Sequence, residues 1–154
     1  MFARSHLDLH GIRASVERTR RISDRVVGIG PIGIGLDGVL AWIPGLGAAY
    51  SLAAAVLIMI QGVRARASLP TLFSMGSILF ADTALDAVPI PFAPAVADVL
   101  FTGHKWASNM LLKHMEETLY YEGSRQEAQA DPRFREALAA MEQVGDRRRI
   151  VFLS

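Results

Sequence analysis

The chain has 154 residues, 51% of them hydrophobic and 20% charged, with a formal net charge of +1. That length suits one domain, the composition excludes a disordered chain, and the lack of a basic excess argues against nucleic acid as a partner. Cysteine is absent, which excludes disulfides, thiolate catalysis and cysteine-ligated metal centres.

The averages conceal a segregation. Residues 26–103 carry only six charges, Asp37, Arg64, Arg66, Asp82, Asp86 and Asp98, while the two flanks hold the other 25. Three segments follow: a basic N-terminal segment (1–25), an apolar helical-hairpin domain (26–121) and a tail with a short helix (122–154). No apolar run near Met1 suggests a secretory signal. From Ile12 to Val27 the pattern predicts a helix, with Ile12, Val16, Ile22 and Val26 as a loose apolar stripe. Arg13, Arg18, Arg20, Arg21 and Arg25 lie elsewhere on it, either solvated or against anionic headgroups.

Between Arg25 and Arg64 the only charge is Asp37. A bilayer crossing needs about 20 apolar residues, so this stretch suits two helices turned at Pro44, Gly45 and Gly47. Leu46–Val63 reads as an apolar helix. Gly28, Gly30, Gly33 and Gly35 with Pro31 make a poor helix opening, so the preceding helix starts near Gly35 or Leu36. The second apolar stretch runs from Leu69 to Phe101. Pro70 suits a helix start, and that helix is expected to reach about Val88. Pro89, Pro91 and Pro94 then impose an extended turn. A further helix is expected from about Ala95 to Tyr121, with a stripe of Trp106, Met110, Met115 and Leu119.

In the tail, Asp131 as N-cap, Pro132 at the first helical position and Gly145 just past the end frame a helix. Phe134, Leu138, Met141 and Val144 share one face of it. Arg147, Arg148 and Arg149 read as a solvated run before the apolar end Ile150–Leu153.

A shift of 45 residues lays Asp37 on Asp82, Leu40 on Leu85, Ile43 on Val88 and Pro44 on Pro89. Two copies of a hairpin, each too apolar to stand alone, would pack on one another. The run Gly35-Leu36-Asp37-Gly38-Val39-Leu40-Ala41-Trp42-Ile43-Pro44-Gly45-Leu46-Gly47 resembles the first signature of the bacterial domain of unknown function 4112. Asp82 through Asp98 resembles the second, and the likeness covers about residues 17–116. Two departures stand out: Ala48 replaces a usual aspartate, and the turn from Pro89 to Pro94 is longer. The resemblance implies a small, hydrophobic, membrane-associated bacterial protein and no reaction.

The expected fold is all-α: two duplicated apolar hairpins with Pro/Gly turns and a C-terminal amphipathic helix. Basic residues fall before the first apolar stretch (Arg18, Arg20, Arg21, Arg25), between the two (Arg64, Arg66) and after the second (Lys105). A positive-inside arrangement puts all three on the cytoplasmic side, with the hairpins inserted from there and the termini cytoplasmic. The expected location is the bacterial inner membrane, with the cytoplasm as the alternative. Against insertion, each of Asp82, Asp86 and Asp98 costs roughly 2.5–3.5 kcal/mol at bilayer depth.

Asp82 and Asp86 share a helix face. With Asp37 and Asp98 they could form a polar pocket for an ion or proton; alternatively they cap turns or pair with Arg64 or Arg66. His104 and His114 are expected at the surface. Gly28-Ile29-Gly30-Pro31-Ile32-Gly33 superficially resembles a dinucleotide fingerprint but lacks the preceding strand. No metal spacing, phosphate loop or nucleophile elbow is present. The chain is therefore expected not to be an enzyme and to use no cofactor or metal. Three functions remain: a membrane-associated protein whose partners are the bilayer and a second copy or another protein; a small ion- or proton-conducting module; or a soluble helical interaction module.

Overall fold

A computed structural model describes residues 2–27, 46–86 and 102–154. Pro44, Gly45, Pro89, Pro91 and Pro94 lie outside them, as do Asp37 and Asp98, so the turns within each repeat and most of the first copy are not described. In chain order the elements are α1 (His6–Val27), α2 (Leu46–Arg64), α3 (Leu69–Asp86), α4 (Thr102–Glu116), β1 (Thr118–Glu122), α5 (Arg125–Ala130), α6 (Pro132–Gln143) and β2 (Arg149–Leu153). The chain is mostly helical with one small two-stranded sheet. The hairpin that is seen joins α2 to α3 through residues 65–68, which links the two apolar stretches to each other.

Helix α4 runs through the middle. It lies antiparallel to α1, as the contacts Arg13–Glu116 and Arg20–Asn109 show. It lies antiparallel to α3 as well, through His114–Thr71 and His104–Asp82. Ile12 and Val16 of α1, Ile58 of α2, Met75 and Leu79 of α3, and Ala107, Leu111 and Met115 of α4 form one buried cluster. Val151 and Leu153 of β2 join it. The core therefore draws on all three segments that the charge pattern sets apart. The expected stripe on α4 is corrected: Trp106 is exposed, and the buried seam is His104, Ala107, Ser108, Leu111, Leu112 and Met115.

Two further corrections concern the chain after α4. The expected helix to Tyr121 stops at Glu116, and Thr118–Glu122 is a strand. Thr118, Tyr120 and Tyr121 suit a pleated, half-buried surface better than a helix. The partner is the chain's own end: β1 pairs parallel with β2, Thr118 opposite Arg149 through Glu122 opposite Leu153. A parallel pair needs a long crossover, supplied here by α5 and α6. Helix α6 matches expectation. Asp131 accepts from Arg133 N–H, and Gly145 has φ +67°. Asp146 N–H donates to Met141 O and Gly145 N–H to Glu142 O, which is the paired closure of a Schellman motif. Phe134 packs edge-on to Tyr121 at 4.9 Å.

The arginines expected to be a solvated run are partly structural. Arg148 pairs with Asp146 at 2.7 Å, and Arg149 donates to Arg66 O at 2.7 Å. That contact belongs to a polar platform around the α2–α3 turn. Ala3 N–H donates to Arg64 O, the Tyr120 hydroxyl to Ala65 O, and Ser68 N–H to His114 Nε2. Arg66 has φ +54°, a left-handed conformation costly for a side-chain-bearing residue. Its guanidinium donates to Phe152 O at 2.7 Å and Ser154 O at 2.8 Å. Leu153 O accepts from Gly123 on the β1 side, so Arg66 closes the opposite edge of β2. Both chain ends are thereby fastened to one turn.

His114, expected at the surface, is half-buried in this platform. Its Nε2 accepts from Ser68 N–H and lies 3.3 Å from Arg149 Nη1, with Nδ1 3.2 Å from Thr71 Oγ1. These bonds require the neutral ring with its hydrogen on Nδ1. Burial first, and then the charge of Arg149, lower its pKa below the ordinary 6.5, with Glu117 opposing. The unfolded chain therefore binds this proton more readily than the folded one. The resulting stability is fully present at neutral pH and falls as pH drops below about 6.5. Thermal unfolding should show a Tm that declines from pH 7 to pH 5, and His114→Gln should flatten that slope. Equal slopes in both proteins would refute this role.

Candidate functional site

The buried face of α3 is set by helical spacing: Met75, Leu79 and Asp82 fall at i, i+4 and i+7. Asp82 is thus carried into the core by the same periodicity that buries its apolar neighbours. The first turn of α4 meets it. His104 Nδ1 lies 2.8 Å from Asp82 Oδ2, and both residues are 5% exposed. Ser108 follows one turn later on the same face, with its hydroxyl fully buried and no hydrogen-bond partner among the described residues. Two polar groups buried together each require the other as a partner. Chemically this is a buried contact between a carboxyl oxygen and a ring nitrogen. Among the described residues no group of three or more His, Asp or Glu could hold a metal ion.

Gly103 lets α4 come this close. A Cβ there would lie 2.5 Å from Asp82 Cγ and 2.6 Å from Oδ1. Gly103→Ala should force the two helices apart and cost about 1–3 kcal/mol by overpacking, read as a lowered urea midpoint. An unchanged midpoint would show that the contact yields freely.

The second feature is an uncovered surface. Along α2, Leu52, Val56, Leu57, Ile60 and Val63 are exposed at helical spacing, on the side opposite Ala55, Ile58 and Gly62. On α3, Leu69 (81%), Phe73 (78%) and Phe80 (77%) are more exposed still. These helices are apolar all round yet covered on one face only. That pattern in a protein marks an interaction surface or contact with lipid. Between them runs a groove of about 590 Å³ bordered by Leu52, Val56, Met59, Ile60, Leu79 and Phe80, with Arg64 at one end. Among the described residues no helix is long and apolar enough to cross a membrane.

A family model, Domain of unknown function (DUF4112), matches residues 12–115. The chain belongs to this family. The matched DUF4112 region takes in most of α1 and α4 and all of α2 and α3, so the Asp82–His104 pair and the groove lie inside it. The sheet and α5–α6 lie beyond it. The chain matches no curated protein and no solved structure.

Of the residues singled out by sequence, Asp82 is buried as described, and its salt-bridge partner is a histidine. Asp86 is the last residue of α3, and its side chain lies outside the described ones. Pairing of Asp82 with Arg64 or Arg66 does not occur: Arg66 is committed to β2, and Arg64 Nη1 meets Gln61 Oε1 at 3.4 Å. Gly47 lies in the first turn of α2. Arg18, Arg21 and Lys105 are exposed, and Arg20 reaches Asn109 at 3.1 Å. Arg25 is in the last turns of α1, its side chain outside the described ones. The expectation of a surface His104 is corrected: it is buried against Asp82. Its signal was its place at i, i+3, i+4 and i+7 with Ala107, Ser108 and Leu111, one seam through the core.

Proposed function

We propose that this DUF4112 protein is a non-enzymatic, membrane-associated bacterial protein whose α2–α3 hairpin rests its uncovered apolar face in the bilayer from the cytoplasmic side. The observation that carries the reading is the pairing of exposed Leu52, Val56, Leu57, Ile60 and Val63 on α2 with exposed Leu69, Phe73 and Phe80 on α3. At roughly 25 cal/mol per Å² of apolar surface removed from water, side chains of this size make water a costly neighbour. The basic residue Arg64 at the end of α2 suits anionic headgroups, worth about 1 kcal/mol per charge near the surface. Self-association or a protein partner would use the same face. Cell fractionation tests the proposal. The chain should sediment with membranes and resist a carbonate wash until detergent is added. Recovery in the soluble fraction at low salt without detergent would contradict it and favour a soluble interaction module.

A second reading has its own support in the buried Asp82–His104 pair, which suits a proton-handling site. On this reading several copies form a conducting module. Asp82→Asn should then abolish proton flux in vesicles containing the protein, and unchanged flux rejects it.

A further inference from the structure

We propose that the α2–α3 groove binds one acyl chain of an anionic phospholipid, with Arg64 facing the phosphate. The inference rests on the membrane reading above and names the ligand of that surface. Three observations converge. The groove is apolar along its length and holds about 590 Å³, within the range of roughly 300–1,000 Å³ found for small-molecule sites. Its length fits: Leu52 and Arg64 mark its extent on α2, and the helical rise places them about 18 Å apart. One leaflet of a hydrocarbon core about 30 Å thick has a similar depth. Its charge is placed at one end only. Among the described residues Arg64 is the only charged residue of the lining; its guanidinium makes one long hydrogen bond, to Gln61, and its charge also acts on the Asp8 carboxylate of α1.

An arginine at the mouth of an apolar channel matches an amphiphile with an anionic head and a hydrocarbon tail. The fork of guanidinium donors suits phosphate oxygens. Gly76 contributes to the width of the groove. Among the described residues a Cβ at this position would meet Met59 Cε at 3.7 Å, an ordinary contact, and a longer side chain there would take space from a lipid chain.

The full chain, added to vesicles of phosphatidylglycerol and phosphatidylcholine, can be photolabelled by a phosphatidylglycerol probe carrying a diazirine in its acyl chain. Labels mapped by mass spectrometry should concentrate on Val56, Met59, Ile60 and Leu79. Gly76→Leu, which also improves helix propensity, should lower that labelling at least tenfold while flotation with the vesicles persists. Arg64→Gln should lower it roughly fivefold for the anionic probe, as expected for one headgroup contact, and leave a phosphatidylcholine probe unaffected. Labels spread evenly over Leu57 and Phe73 and insensitive to Gly76→Leu would overturn the proposal and leave membrane association standing. So would crosslinks from the groove to residues 28–45 of the chain or to a second copy, which would identify another occupant. A chain that does not float with vesicles at all defeats both readings.

Discussion

His104→Ala is expected to destabilise the fold by about 3–5 kcal/mol, because it leaves the buried Asp82 carboxyl group without its ring partner. The carboxylate cannot reach water without moving α3, since Asp82 sits on the same face as Met75 and Leu79, both in the core. The ring is itself buried, so truncation adds a packing loss. Urea titration should show a lower midpoint with an unchanged slope, the signature of altered stability without altered compactness. The double variant Asp82→Asn with His104→Ala should recover part of the loss, because no charge then remains buried. A loss under about 1 kcal/mol in the single variant would mean that the pair is in effect exposed.

Arg66→Ala carries the second large effect, about 3 kcal/mol. Its guanidinium donates to Phe152 O and Ser154 O and lies over the Phe2 ring, 5.8 Å from the centroid. Hydrogen bonds from a charged donor contribute about 1.5–3 kcal/mol each, reduced here by partial exposure. The left-handed backbone at this position persists in the variant, so the loss reports on the side chain. Amide exchange should accelerate at Val151, Phe152 and Leu153 well before it does in α4. Arg66→Lys should not restore protection, since a single ammonium cannot hold two carbonyls in fork geometry. Unchanged exchange in β2 would show that pairing with β1 alone holds the tail.

These two residues mark the limits of what periodicity reveals. Helices with strong local signals were legible: the apolar run ending at Arg64, the helix opened by Pro70, and the one framed by Asp131 and Gly145. The sheet was not. Ile150–Leu153 is a short apolar run at a chain end, and its partner starts 31 residues earlier, so no local pattern distinguishes a strand from a greasy terminus. Four of the five residues of β1 were absorbed into a helix because Met115 and Leu119 continue a helical spacing. Arg66 reads as a charge between two apolar blocks, and only the return of the tail makes it a clamp. Asp82 was legible as an acid in an apolar helix, whereas its partner lay in a helix whose seam was misplaced by one side. The uncovered face of α2 and α3 was legible in kind, as hydrophobicity without amphipathic contrast, though not which side chains would remain outside.

The membrane-facing hairpin is the central claim, and the absence of cysteine allows a direct measurement. A single cysteine at Phe73, labelled with an environment-sensitive dye, should brighten and shift to the blue when phosphatidylglycerol vesicles are added. The same dye at Arg135, an exposed position on α6, should not respond. Equal spectra at both positions, with and without vesicles, would contradict the account.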